Sequence, residues 1–231
     1  FSCAIFDPTG DLIANAPHMP VHLGSMSETI KSVISQNSRP GDLQPSGMSP
    51  GDVFVLNAPY NGGTHLPDIT VVKPVFDGDG IIFYVASRGH HADIGGMTPG
   101  SAPADSTSVE QEGVLLDGEK LVQNGVFLED DLRSLLASGP YPARSPDQNV
   151  ADLKAQVAAC EKGTVELLGV VDHYSLAVVH AYMAHVKRNA EASVRRLIGT
   201  LSDCSFTYGT DDGHQVSVAI TVDHGDGSAT I

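Results

Sequence analysis

Two histidines and an aspartate stand at the ends of two strand-like runs, where a hairpin would bring them together. His65-Leu66-Pro67-Asp68 leads into Ile69-Thr70-Val71-Val72-Lys73-Pro74-Val75-Phe76, the turn Asp77-Gly78-Asp79-Gly80 reverses the chain, and Ile81-Ile82-Phe83-Tyr84-Val85-Ala86-Ser87 returns it to Arg88-Gly89-His90-His91-Ala92-Asp93. β-Branched and aromatic runs on either side of a Gly/Asp turn pair antiparallel, and that pairing carries the end of the second strand back to the start of the first. Neutral imidazole and carboxylate are ligands that Zn, Mn and Fe(II) accept, and three protein ligands leave positions open for water or substrate. Isolated histidines at a sheet edge usually only hydrogen-bond; it is the convergence that predicts a divalent-metal site of catalytic type. Successive side chains on an extended strand point to opposite faces, so of His90 and His91 one binds and the other lines the pocket or moves protons.

The flanking loops suit close approach to a ligand. Asn57-Ala58-Pro59-Tyr60-Asn61-Gly62-Gly63-Thr64 precedes His65, and Ile94-Gly95-Gly96-Met97-Thr98-Pro99-Gly100 follows Asp93; glycine permits positive φ and lets backbone come near a bound group. Neither loop is a nucleotide cradle, because no GxxxxGK[ST] occurs and no GxGxxG follows a strand. His173, His180 and His185 lack the i, i+4 spacing of a helical metal pair and read as core-edge or solvated residues.

With 231 residues, 41% hydrophobic and 18% charged, the chain can bury a sizeable core. A formal net charge of −15 argues against nucleic acid or an anionic membrane surface as partner. Cys3, Cys160 and Cys204 are odd in number and widely spaced, which fits free thiols in a reducing, cytoplasmic compartment. No apolar run approaches the roughly 18 residues of a membrane span, and no charged-then-apolar leader is present. Both ends read as strands already under way, which suggests a piece of a longer protein.

The pattern predicts an α+β fold: mixed or antiparallel sheets and hairpins, with a pair of long amphipathic helices in the C-terminal half. Residues 1–145 form a sheet-rich lobe carrying the metal hairpin. It opens with a hairpin of Phe1-Phe6 and Leu12-Ala14, then a short helix over Ser27–Ile34, a loop over 38–51 and a buried strand at 52–56; short strands at 114–116 and 120–127 and a helix near 129–137 follow. Residues 146–202 are helical, with apolar positions three and four apart that predict burial of Leu153, Val157, Leu176, Met183 and Val186 and a break near Asp172-His173-Tyr174. Residues 203–231 begin a further β segment.

Longer motifs carry a resemblance. Asn15-Ala16-Pro17-His18-Met19-Pro20-Val21-His22-Leu23-Gly24-Ser25-Met26, Gly62-Gly63-Thr64-His65-Leu66-Pro67-Asp68 and Ser87-Arg88-Gly89-His90-His91-Ala92-Asp93-Ile94-Gly95-Gly96 resemble the hydantoinase B/5-oxoprolinase family, as do Ala104-Asp105-Ser106-Thr107, Glu110-Gln111-Glu112-Gly113 and Ser138-Gly139-Pro140-Tyr141-Pro142. The wording is closer to the 5-oxoprolinase and hydantoinase branch than to the acetone carboxylases. The resemblance implies an ATP-dependent hydrolase of cyclic amides, 5-oxoprolinase or N-methylhydantoinase-like and in the former case part of glutathione metabolism. ATP would sit on an A-type ATPase region or subunit in an oligomeric complex, not on this chain. It also implies that His65, Asp68 and His90 hold the metal (Mn, Zn or Fe). Around them His91 or His22 would move protons and Arg88 would hold a substrate carboxylate. Alternatives are a subunit of an ATP-dependent ketone carboxylase and a non-catalytic scaffold for the ATPase subunit.

Overall fold

The apolar runs on either side of the Gly/Asp turn become the middle of a seven-stranded antiparallel sheet. The computed structural model describes residues 1–16 and 19–231; Pro17 and His18, within one of the motifs quoted above, lie outside the described residues. The elements run β1 (Ser2–Phe6), β2 (Leu12–Asn15), α1 (Pro20–Gln36), β3 (Val53–Leu56), β4 (Asp68–Asp77), β5 (Gly80–His90), β6 (Asp117–Gln123), β7 (Val126–Phe127), α2 (Glu129–Leu136), α3 (Pro146–Tyr174), α4 (Leu176–Ile198), β8 (Cys204–Gly209), β9 (Gln215–Asp223) and β10 (Ser228–Thr230). Strand order is β2-β1-β5-β4-β3-β6-β7, with the β4–β5 hairpin near its centre. The fold class is α+β as expected, while 114–116 forms no strand.

Both faces of the sheet are covered, which is why β3 and β4 read as continuous apolar runs instead of alternating ones. On one face Ala4, Phe6, Phe54, Leu56, Val72, Tyr84 and Ala86 form a core with Met26, Ile30 and Val33 of α1. On the other lies α3: Gln156 donates to the carbonyls of Ile69 and Ser87, Cys160 Sγ approaches Val71 O, and Glu161 pairs with Lys73. A Cβ on Gly163 would meet Val85 Cγ1 at 2.9 Å, so glycine there lets helix and sheet come close.

Helix α1 begins at Pro20, seven residues before the stretch expected from apolar spacing. Proline is well suited to a first helical turn. That turn has no apolar stripe because its buried position is polar, His22, as is Thr29 further on; both serve the site described below.

The chain divides into two compact units, Phe1–His173 and Tyr174–Ile231, at the break expected between the helices, where Ser175 has φ +73°. The second unit combines α4 with an antiparallel sheet of order β10-β9-β8, and Arg195 of α4 donates to Asp226 O at 2.8 Å. Leu153 and Met183 are buried, Val157 and Leu176 half-buried, and Val186 is 46% exposed. Tyr182, Val194 and Leu197 of α4 are likewise exposed apolar residues. No single helix among the described residues is long and apolar enough to cross a membrane.

Candidate metal centre

Antiparallel register sets Asp68, the first residue of β4, directly opposite His90, the last of β5. His90 Nδ1 donates to Asp68 Oδ1 at 2.9 Å. The turn that delivers β4 brings in the third group: Asp68 N–H closes on His65 O at 2.8 Å, and the His65 and His90 rings stand 5.6 Å apart, centre to centre. One ligand-capable atom from each of His65, Asp68 and His90 lies within 4.8 Å of the others. Asp68 is the floor, 7% exposed, and His90 the rim, its side chain 60% exposed. The cluster is thus supported from inside and open outside, as a site with exchangeable positions requires.

Asp68 is held as a carboxylate. Burial alone would raise its pKa, but hydrogen bonds from His90 and from Thr64 Oγ1 to Oδ2 at 3.0 Å, with His22 nearby, outweigh burial and keep it below the ordinary carboxylate value. His65 Nε2 stands 2.8 Å from the carbonyl oxygen of Ser101. A carbonyl only accepts, so Nε2 is the donor, which in the neutral ring leaves the lone pair on Nδ1. The donor set, two imidazoles and an ionised carboxylate, fits Zn, Mn or Fe(II).

Of the three residues expected around the ligands, the structure brings His22 to the cluster. It projects from α1, 3% exposed, with Nε2 3.6 Å from Asp68 Oδ1 and Nδ1 sharing a hydrogen bond of 2.8 Å with Ser2 Oγ on β1. Burial lowers its pKa, partly offset by Asp68.

The structure does not bring Arg88 to the open side. Two residues before His90, it points to the same face of the sheet but under α1, where it is fully buried. Nε donates to Thr70 Oγ1 at 2.6 Å, Nη1 to Ser25 Oγ at 2.6 Å, and Nη2 to Thr29 Oγ1 and Gly62 O at 2.8 and 2.9 Å. Burial pushes its pKa down to about 10, with Asp68 pulling the other way. This guanidinium ties α1 and the 57–63 loop to the sheet, leaving it no exposed edge for a substrate carboxylate. Gly62 allows that closeness: its φ is +88°, and a Cβ there would meet Thr29 N at 2.2 Å.

His91 faces away. It is 2% exposed and locked to α3, with Nε2 donating to Gln156 Oε1 at 3.0 Å and Nδ1 accepting from Asn149 Nδ2 at 3.1 Å. The Gln156 amide is itself oriented by its two bonds to sheet carbonyls, so its oxygen must face His91, which is thereby fixed neutral and spent. The sequence correctly divides His90 from His91, but the second ring latches helix to sheet and does not line the pocket.

Three supporting residues escaped the sequence reading: Ser2, Thr64 and Ser101. Thr64 offered a signal, a hydroxyl four residues before Asp68 on the same turn. Ser101 offered none, because its contribution to His65 is a main-chain oxygen.

The Hydantoinase B/oxoprolinase family profile matches residues 1–231. The chain is 41% identical over 232 residues to the 5-oxoprolinase of Dictyostelium discoideum, an alignment covering 96% of this chain and 18% of that protein. It is 31% identical over 218 residues to the caprolactamase subunit beta of Pseudomonas jessenii, covering 93% of this chain and 36% of that one. The crystal structure of the ATP-dependent caprolactamase from Pseudomonas jessenii superposes with a TM-score of 0.85 at 28% identity, over 99% of this chain and 38% of the other.

Proposed function

Because this chain belongs to the hydantoinase B/oxoprolinase family, we propose that it is the ring-opening part of an ATP-dependent cyclic-amide hydrolase of 5-oxoprolinase or hydantoinase type. The observation that carries this reading is the convergence of His65, Asp68 and His90 in a chain related to two enzymes named for lactams, 5-oxoproline and caprolactam. The chain spans 18% of the 5-oxoprolinase it matches, and the ATP site is assigned to an A-type region or subunit outside these residues, since no phosphate-cradling motif occurs within them. In this reading the partner region phosphorylates the amide oxygen and ring opening is completed here.

His65, Asp68 and His90 would hold a divalent ion, Mn, Zn or Fe. When bound, such an ion polarises a carbonyl or lowers the pKa of a bound water. The chain's own residues supply the frame: Thr64 and His90 fix the two oxygens of Asp68, and the Ser2–His22 pair stands behind that carboxylate. Of the histidines considered for proton exchange, His22 alone faces the cluster, so the role is proposed for it. Arg88 and His91 are assigned to architecture.

The test uses the complete enzyme with ATP and 5-oxoproline, following ADP and glutamate. His65→Ala should abolish glutamate formation and remove bound divalent metal by elemental analysis. A His65→Ala enzyme with full coupled turnover overturns the assignment of the chemistry to this hairpin and favours the scaffold reading; a carboxylated product from a ketone would favour the carboxylase.

A further inference from the structure

His65 reaches the cluster from a loop, so something must fix its ring. The group that touches it is the carbonyl of Ser101, 2.8 Å from Nε2. Ser101 is fully buried and has φ +53°, a conformation sparsely populated by residues other than glycine. Glycine would adopt it freely but has no hydroxyl. The serine hydroxyl spans the loop, accepting from Ile94 N–H at 3.2 Å and donating to Gly95 O at 2.9 Å, while Ser101 N–H closes a turn on Thr98 O at 3.3 Å. The loop is clamped from its other side as well. Asp93 Oδ1 accepts Gly95 N–H at 3.0 Å and Arg144 N–H at 3.1 Å, its Oδ2 accepts Arg144 Nη1 at 2.7 Å, and Arg144 Nη2 donates to Gly96 O at 2.6 Å.

We infer that Ser101 is a positioning residue for the metal site: its hydroxyl locks the 93–101 loop in a left-handed turn that aims its own carbonyl at His65 Nε2. The ring is thereby held as the Nε2–H tautomer, with Nδ1 presented toward the ion. The inference deepens the proposed function and rests on its assignment of His65 as a ligand. Hydrogen bonds of this kind to the second ring nitrogen set both the orientation and the basicity of metal-binding histidines.

Two measurements on the full-length protein test it. In metal-free protein labelled with 15N-histidine, magic-angle-spinning NMR reads the tautomer of His65, assigned by difference against His65→Gln; the expected state is Nε2–H with an unprotonated Nδ1. An Nδ1–H tautomer overturns the inference, and this arm needs no Ser101 variant to fold. Ser101→Gly keeps the backbone conformation accessible and deletes the hydroxymethyl group, the hydroxyl with its Cβ. Titrated with manganese(II) chloride, it should bind about 10–100-fold more weakly than wild type, with the His65 signal divided between tautomers. An unchanged Kd with an unchanged His65 signal overturns the inference. If wild type itself fails to bind manganese, zinc or iron, the metal reading falls, and the wild-type tautomer still decides whether Ser101 holds His65.

Discussion

Replacing Arg88 by Met separates an architectural guanidinium from one that holds substrate. The substitution deletes four hydrogen bonds, three to hydroxyls and one to the Gly62 carbonyl. Bonds to a charged group are worth about 1.5–3 kcal/mol each, so the gross loss is roughly 6–12 kcal/mol. Against this stands desolvation. The fall of the Arg88 pKa from its ordinary value to about 10 corresponds to roughly 3 kcal/mol that a neutral side chain recovers. The sign is that of a base depressed by folding: the cost is present at every pH below about 10 and is relieved only between there and the unfolded value. Relaxation and water entry reduce the remainder, and about 3–5 kcal/mol is the expected net, the range seen when one member of a buried charged network is removed. Hydrogen–deuterium exchange resolves this locally: amides of α1 and of residues 57–64 should exchange at least about a hundred-fold faster in Arg88→Met, since 1.4 kcal/mol is tenfold. Unchanged exchange in those segments, with a raised KM for a carboxylate-bearing substrate, would refute the reasoning and return Arg88 to the substrate.

Leu153, fully buried on α3, should cost about 2–5 kcal/mol when truncated to Ala, read as faster exchange in α3 and a lowered melting temperature. Gln156→Leu leaves His91 Nε2–H and the carbonyls of Ile69 and Ser87 without their partner; with about 1–3 kcal/mol for each buried group left unpaired, α3 should loosen by several kcal/mol, whereas wild-type protection in this variant would disprove the latch. Burial pushes the Cys160 thiol well above its ordinary pKa, so iodoacetamide should alkylate it only after unfolding; mass-spectrometric labelling of native Cys160 at the rate of a free thiol would contradict the packing of α3 on the sheet.

The β4–β5 hairpin, the break before α4 and the terminal strands were legible because each rests on local pattern: β-branched runs, a Gly/Asp turn, apolar positions three and four apart. What was not legible depends on contacts distant in sequence. The start of α1 was hidden because its buried face is polar there, and His22 and Thr29 are buried to serve Asp68 and Arg88, not a hydrocarbon core. Arg88 read as a holder of a substrate carboxylate only while α1 and the glycine loop were out of view; three hydroxyls from two elements, α1 and β4, make its burial tolerable. The expected burial of Val186 failed for a related reason, since periodicity marks an apolar face without naming what covers it.

Register is the feature on which the whole site turns. Moving β5 by one residue against β4 would place His91 opposite Asp68 and send His90 to the α3 face, because side chains alternate with a period of two. The two faces exclude that slip. Arg88 fits only where α1 offers Ser25 and Thr29, while Gly89 faces α3 so tightly that a Cβ would come within 2.8 Å of the Phe1 ring and 3.3 Å of Gln156 Cδ. A slipped strand would drive the His90 imidazole into that gap, turn the Arg88 guanidinium to the α3 face in the place of Ser87, and leave the α1 hydroxyls facing glycine. The Arg-Gly pair preceding the two histidines thus decides which of them can meet Asp68 and His65, and His91, bound to Gln156 on the far side, holds the choice in place.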